Sequence, residues 1–218
     1  MCIRDRDGST VIKVGGGGQG AKQSDYAVSG KDTSVALTEG TYVAVGGGRG
    51  GTGNTSADME SGAEGGSGGG SSYENNRGQT EGSSTQDEYT LTGLRRGWGF
   101  GGGSGKSGSP NQGSGGGGGG ASEVGFDANT VSNKGGRGGN GKYEVNGTDF
   151  KTLFNITDTT IGEHRDGKVY FAGGGGAGNN NSQESVYGNG EWNNAGGYGG
   201  GGHGGLKSDM IGADGMAN

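Results

Sequence analysis

Apolar residues along this chain come in short β-branched bursts, and three of them run directly into glycine. Ser9-Thr10-Val11-Ile12-Lys13-Val14 runs into Gly15–Gly18, and Tyr42-Val43-Ala44-Val45 runs into Gly46–Gly48. Lys168-Val169-Tyr170-Phe171-Ala172 runs into Gly173–Gly176 in the same way. Such bursts predict strands. Thr33–Thr38 and Thr41–Val45 are separated by Glu39-Gly40 and predict a tight hairpin. The recurring burst-then-glycine unit is the main internal repeat, with a spacing too irregular for a known solenoid. A helical period appears once, where Phe150, Leu153 and Phe154 stand at i, i+3, i+4 and Thr148 is placed to cap them. Arg165-Asp166-Gly167-Lys168 reads as the turn into the Val169–Phe171 strand, so this part of the chain predicts a small satellite core.

Glycine changes that picture, because 63 of 218 residues are glycine and only 25% are hydrophobic. Fixing a backbone costs about 1–2 kcal/mol per residue, and glycine is at the expensive end. A side-chain core this sparse cannot offset that cost. Either the chain is disordered, or hydrogen bonds between glycine segments replace burial. Eight runs could form such segments: Gly15–Gly20, Gly46–Gly53, Gly62–Gly70, Gly101–Gly108, Gly113–Gly120, Gly135–Gly141, Gly173–Gly178 and Gly196–Gly205. Each can adopt polyproline-II geometry, with three residues per turn and all N–H and C=O groups pointing outward.

The expected fold is therefore mostly irregular and polyproline-II. It is a bundle, or sandwich, of packed polyglycine-II helices with a few short β-strands and at most one short helix. The scaffold is assigned to Gly103, Gly105, Gly115, Gly116, Gly117, Gly118, Gly119 and Gly120, together with Gly173, Gly174, Gly175 and Gly176. Ser109-Pro110-Asn111-Gln112 supplies turn residues between two of the runs. So short a connection makes Gly101–Gly108 and Gly113–Gly120 antiparallel neighbours.

Charge and motifs exclude more than they assign. The net charge of -6 argues against nucleic-acid binding, and no stretch of 18 apolar residues predicts insertion into a membrane. Gly105-Lys106-Ser107 ends like a phosphate-binding loop, but the glycine required five positions before Gly105 is replaced by Phe100. His164 and His203 stand in no ligand-spaced cluster, and no serine sits in a nucleophile elbow. The expectation is a protein that is not an enzyme and carries no cofactor or metal. Met1-Cys2-Ile3-Arg4-Asp5-Arg6 looks like a translated sequencing adaptor, which leaves residues 7–218 as a single glycine-rich domain expected to be truncated at both ends.

Several of these stretches resemble the glycine-rich domains of tailed-bacteriophage tail-fibre and tip-adhesin proteins. The resemblance lies in Tyr42–Val45 with Gly46–Gly48, in Gly115–Gly120 with Ala121, and in Gly138-Gly139-Asn140-Gly141. It lies also in Val169–Ala172 with Gly173–Gly176, and in Asp214-Gly215-Met216-Ala217-Asn218. It implies stacked polyglycine-II helices whose connecting loops recognise a bacterial outer-surface protein or glycan. It further implies attachment to the rest of a tail fibre and a place on the virion tail, with the bacterial cell surface as the alternative. Tyrosine and tryptophan among Ser, Gly and Asn form an adaptable binding composition, which selects Tyr73, Trp98, Tyr187 and Trp192 as receptor-contact candidates. The competing reading is a structural glycine-rich spacer or surface protein, or a disordered low-complexity segment, with no specific ligand.

Overall fold

Three of the apolar bursts pair with one another. A computed structural model describes residues 11–19, 27–37, 40–52, 60–72, 80–86, 98–107, 113–128, 134–178 and 195–205. Within it, β1 (Val11–Lys13), β2 (Thr33–Leu37) and β3 (Gly40–Ala44) form an antiparallel sheet in the order β1-β2-β3. Val35 stands opposite Ile12 on one side and Tyr42 on the other. The hairpin expected around Glu39-Gly40 is thus formed by β2 and β3. Of the expected first strand, Ser9 and Thr10 lie outside the described residues.

Three further ladders are only two or three residues long. β4 (Lys106–Ser107) pairs with β5 (Gly113–Ser114), β6 (Glu144–Val145) with β7 (Thr148–Asp149), and β8 (Glu163–Arg165) with β9 (Lys168–Tyr170). The β6–β7 turn is Asn146-Gly147 and the β8–β9 turn is Asp166-Gly167, each with φ of 50° and then 77°. Two consecutive left-handed residues are what a type I′ hairpin requires, and Asn-Gly or Asp-Gly adopts them at least cost. The Asp166-Gly167 turn was expected; the Asn146-Gly147 hairpin was not.

α1 (Phe150–Leu153) follows β7 directly, and its cap corrects the sequence expectation. Thr148 pairs with Val145 in β7, so it is not available as the cap. Asp149 takes the role: its carboxylate accepts the Thr152 N–H and the Thr152 hydroxyl, both at 2.8 Å. The helix ends after one turn, and Asn155 follows with φ of 50°. Phe150 is buried, whereas Phe154 is 54% exposed. The satellite core is therefore built from Phe150, Ile156 and fully buried Val169, with the Phe171 ring 5.9 Å from that of Phe150.

Elsewhere the interior is backbone. The run of residues 113–121 shows how it is held. Gly115, Gly118 and Ala121 donate their N–H groups to Gly178, Gly175 and Ala172. Gly116 and Gly119 donate to Ser71 and Gly68, while Gly117 and Gly120 donate to Phe126 and Glu123. These seven bonds span 2.8 to 3.3 Å. Every third N–H thus faces the same neighbour. The Gly117 and Gly120 carbonyls accept from Gly103 and Phe100, and those of Gly115 and Gly118 from Gly136 and Gly139. One run is thereby bonded to five others. Partner numbers fall along it for the 98–105 segment, so the antiparallel pairing expected of Gly101–Gly108 and Gly113–Gly120 is present. The turn residues 109–112 lie outside the described residues.

These contacts leave no room for side chains. A Cβ on Gly103, Gly105, Gly116, Gly117, Gly119, Gly120, Gly173 or Gly174 would come within 3.0 Å of another segment's backbone. Gly118 and Gly175 have ordinary spacing, a Cβ on Gly115 would meet the Ser71 carbonyl oxygen at a tight 3.2 Å, and Gly176 donates to Gly202 at 2.9 Å. Where a long side chain does enter, it is matched. Arg137 is buried, and its guanidinium donates to Glu123 Oε2 and Asn140 Oδ1, each at 3.0 Å, and to the Gly138 carbonyl at 3.1 Å. The Phe126 ring lies 4.3 Å from it. A buried ion needs this degree of pairing. The fold is mostly irregular, with short antiparallel strands and few helical residues, Phe150–Leu153 and Glu60 among those described.

Candidate functional site

A cleft of about 680 Å³ opens between the β1–β2–β3 sheet and the glycine segments. Val35 and Tyr42, cross-strand partners, form one wall. The opposite wall is backbone from four runs, contributed by residues such as Gly47, Gly66, Gly118 and Gly175. Trp98 and Gln86 complete the lining. Each is positioned from its own run. Gln86 follows Thr85, whose N–H donates to Gly65, and Gln86 Oε1 accepts the Val45 N–H at 2.8 Å. Trp98 stands two residues before Phe100, which the Phe100-to-Gly120 hydrogen bond fixes to the central run.

Trp98 remains 37% exposed. The Lys142 ammonium lies 5.2 Å from its ring centroid, within the range of a cation–π contact. Lys142 is itself held by a reciprocal pair of backbone hydrogen bonds with Phe171. Among the described residues, no Asp, Glu, Lys, Arg or His lines the cleft. Of the described residues, a ligand entering it would therefore meet aromatic rings, an amide, hydroxyls and peptide groups.

Of the four residues selected from the sequence, the structure places Trp98 in this cleft. Tyr73, Tyr187 and Trp192 lie outside the described residues. Tyr42 and Gln86, which accompany Trp98, were not selected. Tyr42 read only as a strand residue, and nothing local marks Gln86, since both join Trp98 through long-range backbone pairing.

A second aromatic cluster lies on the segment between Lys142 and Phe171. Tyr143 and Tyr170 have ring centroids 5.1 Å apart, and Tyr170 and Tyr198 are 5.5 Å apart. Lys168 Nζ sits 3.9 Å from the Tyr143 centroid, and the Arg165 guanidinium 4.1 Å from that of Tyr198. Hydrogen bonding to Tyr143, opposed by burial, pushes the Lys168 pKa up. Both outer rings are thus already covered by cations of the same chain. Glu163 ties this cluster to the frame, its carboxylate accepting the Gly199 N–H at 2.8 Å and the Gly200 N–H at 3.2 Å.

No family model, curated protein or solved structure matches this chain. Its chemistry is therefore read from its own side chains. His164 Nε2 lies 3.2 Å from the Asp158 and Ile161 carbonyl oxygens, which makes it a loop brace between two backbone acceptors. Among the described residues no group of three His, Cys, Asp or Glu side chains is placed to hold a metal. Among them, too, no helix is long and apolar enough to cross a membrane.

Proposed function

We propose that this chain is a receptor-binding module of the adhesin type, a glycine frame that presents aromatic side chains to a bacterial surface protein or glycan. The observation that carries the reading is Trp98, a large exposed aromatic at a cleft whose described lining bears no charged side chain, held by runs that are hydrogen-bonded on several sides. Rigid frames that display polar and aromatic segments are a general basis for recognition. Tyr73, Tyr187 and Trp192 belong to the same proposed contact surface.

In this reading the runs are polyglycine-II helices. The three-residue repeat of hydrogen-bond partners along Gly115–Ala121 supports it, because a helix with three residues per turn returns every third N–H to the same side. Placement on a virion tail, joined to the rest of a fibre, follows from the resemblance and is part of the proposal. The purified chain is expected to bind host bacterial cells saturably, and Trp98→Ala to weaken that binding at least tenfold, about 1.4 kcal/mol. Binding by the Trp98→Ala, Tyr187→Ala and Trp192→Ala variants equal to that of the parent would leave the structural-spacer reading in its place.

A further inference from the structure

We propose that the Trp98 cleft is a peptide groove, taking an extended, uncharged segment rich in small residues from a partner protein. The inference rests on reading this cleft as a binding site, and it adds the class of ligand.

Three features of the cleft converge on that class. The first is charge. Among the described residues no acidic or basic side chain is in the lining, so a charged segment would lose hydration there with no counter-ion from those lining residues. The second is hydrogen bonding. Among the described residues, the N–H groups of Gly47 and Gly175, on different runs of the backbone wall, donate to no acceptor, whereas those of adjacent Gly48 and Gly174 donate to Ser67 and Gly139. Two such donors suit the carbonyls of an extended main chain, which is how added strands are recognised at sheet edges.

The third is space. Most frame glycines are accounted for by a neighbouring backbone that a Cβ would strike. Gly47 is different: a Cβ there meets nothing within 4 Å, and on Gly175 the nearest atom is the Gly202 carbonyl oxygen at 3.9 Å. Internal packing does not require glycine at these two lining positions, which leaves room there for close approach of another main chain. Trp98 and Tyr42 supply apolar faces for the small side chains of that segment. Their rings also shield its hydrogen bonds from water, which raises what those bonds contribute.

The test titrates the full chain with an acetylated, amidated nine-residue peptide of glycine, alanine and serine, observed through the amide resonances of Gly47 and Gly175. Saturable shifts at both amides are expected, and Gly47→Val should weaken binding roughly tenfold or more by placing a branched side chain in the groove. Because that side chain enters open space, the fold should survive, checked by the amide protection of Gly115–Gly120. A same-length peptide of alternating lysine and glutamate should not bind. Absence of shifts with the neutral peptide, unchanged affinity in Gly47→Val, or saturation by a neutral oligosaccharide in place of the peptide would each overturn the proposal. Host-cell binding separates the two readings. Peptide binding without cell binding sinks the receptor assignment alone, and cell binding lost in Trp98→Ala but retained in Gly47→Val sinks the peptide groove alone.

Discussion

At Gly117 a Cβ would stand within 3.0 Å of three backbone atoms, the Arg137 carbonyl carbon and oxygen and the Gly138 nitrogen. None of them can rotate aside. Gly117→Ala must therefore push two hydrogen-bonded runs apart, and a loss of about 2–3 kcal/mol or more is expected in chemical denaturation. Gly16 and Gly17 provide the control, because a Cβ on either meets nothing within 4 Å. Alanine there restricts the unfolded chain without a clash, so Gly16→Ala and Gly17→Ala should be neutral or stabilising by up to about 1 kcal/mol. Equal effects at all three positions would contradict the close packing of the central run. Composition alone cannot separate these glycines. Gly16 and Gly117 have the same neighbours in sequence, and only the path of distant segments distinguishes them.

At the scale of elements, strands were legible where β-branched residues clustered, running on toward glycine in β1, β3 and β9 and facing β3 across a short turn in β2. The helix was legible in place, through the spacing of Phe150, Leu153 and Phe154, but its cap was misassigned by one residue. The reason is competition: Thr148 and Asp149 both suit a cap, and the Asn146-Gly147 turn commits Thr148 to a ladder opposite Val145. Asp149→Ala should therefore lower the helicity and stability of the 143–171 segment, while Thr148→Ala should spare the cap. The Thr152 N–H and hydroxyl hold the Asp149 carboxyl below its usual pKa, and the Thr160 N–H and hydroxyl do the same for Asp158. A carboxylate whose pKa is lowered by folding contributes stability above its unfolded pKa, and that contribution is lost as pH falls through the folded value. The segment should accordingly loosen below about pH 4, read as faster exchange at the Thr152 and Thr160 amides than in the central run. The Asp149→Ala variant should show a smaller acid response at Thr152.

The whole molecule divides into a backbone-bonded frame and a side-chain core, and the two meet at a narrow junction. Lys142 and Phe171 exchange both backbone hydrogen bonds at 2.9 Å, so the chain enters and leaves the 143–170 segment at adjacent points. On the frame side of that junction, Gly139 and Gly174, and Gly136 and Ala177, continue the same antiparallel pairing without help from the insert. That division was only partly visible in the sequence. A hydrogen-bonded frame was one of the two outcomes the composition left open, with disorder the other, but which runs neighbour which depends on pairings such as that of Gly115 with Gly178, 63 residues apart, and backbone contacts leave no side-chain pattern to read. The cleft inherits the same difficulty, since Tyr42, Gln86 and Trp98 meet only once the runs are stacked. The junction nevertheless makes a sharp prediction. Replacing residues 143–170 by Asn-Gly should close Lys142 and Phe171 as a two-residue hairpin, because an antiparallel pair with both bonds formed accepts a type I′ turn. The frame should then persist, with slow amide exchange across Gly115–Gly120 retained. Stability should fall mainly by exposure of Phe171 and Tyr198, which lose their contacts with Phe150 and Tyr170. Uniformly fast exchange across Gly115–Gly120 in that variant, with slow exchange in the parent, would show instead that the small apolar core holds the glycine runs in place.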